Sequence, residues 1–279
     1  MKNTKYILCI CIILILSLCF SGCNVSALNL KQKVNIKNAD FEYIKQGKIR
    51  TITIQSTRDK SYKFIITDQR TISDLYDILS SAKAVSSKSS LDPDYIFELH
   101  ESSNKIYTFK YVSSLNDFDS GNFYSDNKIY SVSSKIDDNI ISSFSALKRT
   151  PKNFNGVYYE GILEILSMYG KRDNKKIGVD ISSDFESLKF VISANLESFN
   201  NKLVSIDKNM ELKKDNKNYD VIANVKTQGY KSDRYKIIIT FTDSTDNSET
   251  KYYMDASYKN DRWNFDIFTS SDTDKVKSF

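Results

Sequence analysis

The chain has 279 residues and a formal net charge of +5, with 40 basic and 35 acidic residues. The two signs are interleaved, which indicates a solvated surface rather than the dense basic patch of a nucleic-acid-binding protein. A zinc site of the Cys/His type is excluded as well, because the chain has one histidine and four cysteines, and no cysteine follows Cys23. For the same reason neither a disulfide nor thiol catalysis is expected after that position.

The first residues have the layout of a secretory signal peptide. Lys2 and Lys5 form a positive start, and an almost wholly apolar run covers residues 6–20. This run is shorter than the ~20 residues that a membrane-spanning helix needs. Ser21 and Gly22 then provide the small residues typical of a cleavage site.

The sequence Phe20-Ser21-Gly22-Cys23 resembles the lipobox of bacterial lipoproteins, with Phe20 where that family usually has Leu, Val or Ile. The resemblance implies cleavage before Cys23, transfer of a diacylglyceryl group with fatty acids such as palmitate to its thiol, and a place on the extracytoplasmic face of the cell membrane. The composition, rich in Lys, Asn and Ile, suggests a Gram-positive source. Two alternatives stay open: a plain cleaved signal peptide in which Cys23 is coincidental, and an uncleaved N-terminal anchor.

Periodicity divides the exported part into a tether and two α+β domains. We predict a signal peptide over 1–22, a lipidated cysteine and tether over 23–38, and domains over 39–148 and 156–270. The residues between the domains contain Pro151 and Gly156 and predict a boundary, although a surface loop within one domain has the same composition. The predicted fold class is α+β, with each domain an antiparallel sheet packed with helices.

The first domain is predicted in the order ββαβββα. Alternating apolar residues predict strands near 49–54, 62–66, 95–100 and 106–111, and a shorter strand region over 123–132. Helical spacing predicts helices over 71–84, capped by Thr71 or Ser73, and over 136–147. This arrangement faintly resembles small lipoprotein domains of Gram-positive bacteria.

The second domain is predicted to begin with helices over 157–169 and 184–204, followed by strands near 219–225, 235–241, 252–258 and 263–267. Helices followed by a meander that ends on Trp263 resemble nuclear-transport-factor-2-like or cystatin-like domains, over about 156–268. That fold hosts enzymes, binding modules and scaffolds alike. We predict that Trp263 packs in the core against the helix face formed by Leu188, Ile192 and Leu196.

Candidate chemical groups are few. The only histidine, His100, shares a strand face with Glu98, and Glu98 or Glu101 would be its catalytic partner, but a surface role is the simpler interpretation. Asp117 and Asp119 alternate as in a calcium loop, yet the third acidic position and the closing Glu are missing. A second acidic turn, at Asp243, has a solvated turn as its simpler interpretation.

These observations predict a membrane-anchored extracytoplasmic lipoprotein with a non-enzymatic binding or assembly role. Its expected partners are membrane lipid, through Cys23, and an envelope protein; no nucleic acid, cofactor or metal is expected. The alternative is a small-ligand carrier or enzyme that uses a pocket in the C-terminal domain. A deep pocket with converging polar groups would favour that alternative, and a filled core would favour the binding module.

Overall fold

In the computed structural model, residues 37–115, 120–142, 150–170 and 175–279 are described. Cys23 and its lipobox, almost all of the predicted tether, Asp117 and Asp119 lie outside these ranges. So do the end of the predicted helix over 136–147 and Lys148 and Arg149 of the predicted boundary. The fold class is α+β, as predicted, with two sheet-rich halves. We call the described residues of 37–142 the N-terminal module and those of 150–279 the C-terminal module.

The N-terminal module is built on a seven-stranded sheet with the strand order β2-β1-β4-β5-β6-β7-β3. Its strands are β1 (Thr51–Ser56), β2 (Lys63–Ile66), β3 (Lys83–Ala84), β4 (Tyr95–Ser102), β5 (Lys105–Tyr111), β6 (Phe123–Tyr124) and β7 (Ile129–Ser131). Every pairing between them is antiparallel. The predicted hairpins β1–β2 and β4–β5 are confirmed, since period-two alternation places one apolar set on the buried face.

Helices cover the buried face of this sheet. A short helix α1 (Glu42–Lys45) precedes β1, and α2 (Gln69–Leu79) follows β2. The predicted caps of α2 were wrong: Asp68 is the N-cap, and its carboxylate accepts a hydrogen bond from the backbone N–H of Thr71. The helix also ends earlier than predicted, because Lys83–Ala84 pairs with β7 as a strand. A π-helical turn, Ile136–Ile141, closes the described part of the module.

The C-terminal module is built on a six-stranded sheet with the order β13-β12-β11-β10-β8-β9. The predicted meander is confirmed as β10 (Val221–Tyr230), β11 (Arg234–Asp243), β12 (Glu249–Lys259) and β13 (Arg262–Thr269). Two strands were missed, β8 (Ile177–Asp180) and β9 (Met210–Leu212), and both pair in parallel. The sheet is therefore mixed rather than purely antiparallel. Helices separate β8 from β9 in the chain, which is the connection that parallel strands need. Because the two strands are short and have no hairpin partner, the sequence shows no meander pattern for them.

One long helix, α3 (Phe154–Tyr169), covers the meander and packs against β11, β12 and β13. The approach is close at Gly161, where an added Cβ would lie 2.7 Å from the Met254 thioether. Apolar side chains of α3 such as Ile162, Ile165 and Leu166 are at most 1% exposed and meet the buried residues of the sheet. This face of the sheet is therefore filled by the helix.

The predicted long helix over 184–204 is broken into α4 (Phe185–Leu188) and α5 (Ser193–Ile206). Phe185, inside the predicted helix, is 75% exposed, and the backbone of Ile192 is extended. Trp263 packs against the core of the C-terminal module, but with other neighbours than predicted: its indole N–H donates to the Lys152 carbonyl at 2.8 Å, and its ring meets Tyr258 edge-on. It is half-buried, because it lies on the edge strand of a sheet that α3 covers.

A last helix, α6 (Thr273–Ser278), follows β13. The Phe279 ring beyond it packs edge-on against Phe268 and Tyr253, so part of the opposite sheet face is covered too. Among the described residues, none of the helices has the length and apolar character needed to cross a membrane.

Candidate functional site

The two modules are joined by a buried carboxylate, Asp94, which precedes β4 and whose side chain is 1% exposed. Its Oδ1 accepts from the Arg58 guanidinium at 2.5 Å and from the backbone N–H of Ser193 at 2.8 Å. Its Oδ2 accepts from the backbone N–H of Ser113 at 2.9 Å. Asp94 of the N-terminal module thus satisfies a free N–H at the start of α5 in the C-terminal module, where a helix favours negative charge.

Further hydrogen bonds between Arg58, Asp92 and Ser193 strengthen this junction. The second guanidinium nitrogen of Arg58 donates to the Ser193 hydroxyl, which in turn donates to the carbonyl of Asp92 at 2.7 Å. Burial raises the pKa of Asp94, and the Arg58 charge and the two backbone N–H groups oppose that rise. The residues of both modules, Lys37–Phe279, accordingly cluster as one compact unit.

An open cleft of about 460 Å³ lies at this junction, within the size range of small-molecule sites. The N-terminal module contributes Tyr95, Ser113 and Asp137 to its wall, and the C-terminal module contributes aromatic and carboxamide side chains. The latter are Phe154, Phe190, Asn153, Asn155 and Asn195. We call this opening the junction cleft.

A second opening of about 350 Å³ runs between α3 and α5 and shares Asn153, Asn155 and Asn195 with the junction cleft. We call it the helix groove. Tyr159 lines it and is 4% exposed, and among the described residues its buried hydroxyl has no hydrogen-bond partner. Buried hydroxyls without a partner are uncommon in folded proteins, and those of Tyr43 and Tyr111 are two further examples among the described residues.

The charged side chains in these two openings already have ion-pair or hydrogen-bond partners. Glu160 pairs with Lys202 at 2.5 Å across the helix groove. The carboxylate oxygens of Asp137 accept from the Ser113 hydroxyl at 2.7 Å and from the Ser114 N–H at 2.8 Å, and burial raises the pKa of this carboxyl. Apart from the Asp137 carboxyl, whose two donors are uncharged, the lining therefore presents neutral polar groups.

The other sequence candidates lie elsewhere. His100 is on the outward face of β4, with its Nε2 3.4 Å from Glu98 and 3.3 Å from the Thr53 hydroxyl. Asp243 pairs with Lys175 and accepts from the N–H of Thr245, which lowers the pKa of its carboxyl to about 2. Among the described residues, no three His, Cys, Asp or Glu side chains group together as a metal site would require.

A second buried carboxylate, Asp184, belongs to the core of the C-terminal module and is 1% exposed. It accepts from the N–H and hydroxyl of Thr227 and from the Tyr158 hydroxyl, each at 2.9 Å. Burial is the main cause of its raised pKa. Since Tyr158 and Thr227 are themselves buried, the network holds α4 to the sheet and offers no access to a substrate.

The sequence did not predict the junction residues Asp94, Asn153, Asn155 and Asn195. Three of them are asparagines in loops or helix ends, which the sequence shows only as turn and capping signals. Asp94 follows Pro93, and its partner Ser193 lies 99 residues away. A pairing over that distance leaves no periodic trace in one sequence.

A protein-family model described as YhfM protein matches residues 45–149. The match covers the sheet of the N-terminal module and less than half of the chain. The carboxamides and aromatic rings that the C-terminal module contributes to the junction cleft lie beyond it. No curated protein matches the chain, and no solved structure matches it.

Proposed function

We propose that this chain is a lipid-anchored lipoprotein of the extracytoplasmic membrane face, with a non-enzymatic binding role. The signal-like N-terminus and Cys23 support the anchor. The junction cleft supports binding, because residues of two modules converge on an open cavity whose walls are fixed by the buried Asp94 junction. That convergence is the single observation that carries the proposal.

The geometry favours this role over a carrier with an internal pocket in the C-terminal domain. A carrier of that kind needs space between the helix and the curved sheet, and the side chains of α3 fill that layer. The catalytic alternative needs an exposed acid–base pair. The carboxyl of Asp184, whose pKa is raised by burial, is instead enclosed by its own hydrogen-bond partners.

The test is photo-crosslinking in the cells that make the protein. A photoreactive amino acid replaces Asn195, which lines both openings, in the full-length chain. The control places the same amino acid at Asn264, an exposed asparagine on β13. We expect a discrete adduct from position 195 and none from position 264.

Equal adducts at both positions, or none at position 195 with intact protein in the membrane, would contradict binding at the junction. Loss of both the adduct and the membrane location in Cys23→Ala would show in addition that the anchor brings the cleft to its partner.

A further inference from the structure

We propose that the junction cleft and the helix groove together bind a neutral oligosaccharide. This inference rests on the proposed binding function and adds the chemical class of the ligand. The two openings share Asn153, Asn155 and Asn195, so they adjoin each other on the surface. Two adjoining openings fit an extended chain better than a single compact molecule.

The shared asparagines offer the hydrogen-bonding groups that sugar hydroxyls need. Each carboxamide has one acceptor oxygen and two donor hydrogens. In the described structure, Asn195 donates to the side-chain oxygen of Asn155 at 3.0 Å, and the Asn153 oxygen accepts from the N–H of Gly156. The Nδ2 groups of Asn153 and Asn155 and the oxygen of Asn195 have no partner among the described residues. A hydroxyl both donates and accepts, so a row of hydroxyls matches this mixed set.

The orphan hydroxyl of Tyr159 provides a second, independent indication. It lies in a side chain that lines the helix groove, and it is buried without a partner in the described structure. A desolvated hydroxyl loses free energy when it is left unpaired, so a ligand group or a water that reached it would stabilise the site.

The lining also supplies apolar surface and little free charge. Phe190 and Phe154 line the junction cleft, and Phe190 is half-buried. Ring faces pack against the C–H faces of pyranose rings. Glu160 and Lys202 neutralise each other, and both oxygens of Asp137 already accept hydrogen bonds. An anionic ligand would meet the Asp137 carboxylate and no unpaired cation here, whereas a neutral polyol needs no opposite charge.

The experiment uses the full-length, membrane-extracted protein and isothermal titration calorimetry. The probes are three neutral tetrasaccharides, chitotetraose, cellotetraose and maltotetraose, with tetra-alanine as a peptide of similar length. We expect at least one tetrasaccharide to bind. Asn195→Ala should weaken that binding by about tenfold or more, since it removes a polar partner from both openings. Asn264→Ala, an exposed asparagine outside the groove, should bind as the wild type does.

Several outcomes would overturn the inference. The first is that none of the tetrasaccharides binds, and the second is that binding is unchanged in Asn195→Ala. The third is that tetra-alanine binds with the same dependence on Asn195, which would make the groove a peptide site. The crosslinking test separates the two levels of the proposal. An adduct at position 195 without saccharide binding leaves the binding function standing and removes the saccharide, while failure of both removes the binding function as well.

Discussion

At the scale of single residues, Asp94 links the two modules, and no signal in the sequence indicates this role. It joins β4, Arg58 and the start of α5, and almost none of its surface is exposed. A buried charge held by three donors is costly to disrupt, because removal of one member leaves the others desolvated and unpaired.

We therefore expect Asp94→Ala to lower the free energy of unfolding by about 3–5 kcal/mol. The variant leaves the Arg58 guanidinium and the N–H groups of Ser113 and Ser193 without their acceptor. The matched control is Asp74→Ala, an exposed aspartate on α2, which should change stability by less than about 0.5 kcal/mol. Urea unfolding measures both, and equal effects would show that the junction does not stabilise the fold.

Asn153 is a second residue whose role depends on its backbone. It has φ 42° and ψ 63°, in the left-handed region, and its side chain caps α3 through the N–H of Gly156. Asn153→Ala should cost about 2 kcal/mol, from a lost cap of ~1 kcal/mol and a left-handed alanine of ~1 kcal/mol. Asn153→Gly should lower stability by only a few tenths of a kcal/mol, because glycine adopts this conformation freely. Thermal unfolding decides, and a glycine variant less stable than the alanine variant would contradict this account.

At the scale of elements, the correct predictions are those that rest on the spacing of apolar residues. The hairpins β1–β2 and β4–β5, the meander and α3 all have apolar residues at the spacing of their own structure. The prediction of one helix over 184–204 was wrong because tertiary contacts outweigh the helical spacing. Asp184 accepts a hydrogen bond from the buried Thr227 N–H, and Asp94 caps a new helix start at Ser193. The parallel strands β8 and β9 were missed because they are short and pair through the sheet rather than with a sequence neighbour.

The packing of α3 on β12 gives a direct test of the filled core. Gly161 lies against Met254, where an added Cβ would come within 2.7 Å. Gly161→Leu should destabilise the protein by about 1–3 kcal/mol or more, because overpacking forces neighbouring side chains to move. Glu164→Leu, at an exposed position of the same helix, is the control and should have little effect. If Gly161→Leu were neutral, the layer between helix and sheet would contain space for a ligand.

Two carboxyls should give stability opposite dependences on pH. Burial raises the pKa of Asp184 above the ordinary value of 3.8, so its contribution to stability falls as pH rises above 3.8. The pKa of Asp243 is lowered to about 2 by Lys175 and Thr245, so its contribution is present above 3.8 and is lost as pH falls through about 2.

The measurement is the urea midpoint of the wild type, Asp184→Asn and Asp243→Asn across the acidic range. The difference between the wild type and Asp243→Asn should grow as pH rises from about 2 to 3.8, where the carboxylate becomes charged. The difference between the wild type and Asp184→Asn should shrink as pH rises above 3.8. Parallel curves for all three proteins would refute both assignments.

At the scale of the whole molecule, the described residues form two separate hydrophobic cores and a polar junction between them. One core belongs to the seven-stranded sheet and the other to the six-stranded sheet and α3. The predicted boundary passes through residues that are held in place: the Lys152 N–H donates to the Ser232 carbonyl, and its own carbonyl accepts from Trp263. The domain limits 39–148 and 156–270 remain predictions, and the candidate binding site lies where the two modules meet.

The proposed role depends most on export and lipid anchoring, since these decide what the cleft can meet. Intact-mass and N-terminal peptide mass spectrometry of the protein purified from its own membranes test this most directly. We predict a chain that has lost residues 1–22, begins at Cys23 and carries a diacylglyceryl group on that cysteine, and we predict that Cys23→Ala carries no lipid. A mature chain that still begins at Met1, or one that begins elsewhere with an unmodified Cys23, would contradict the lipoprotein proposal.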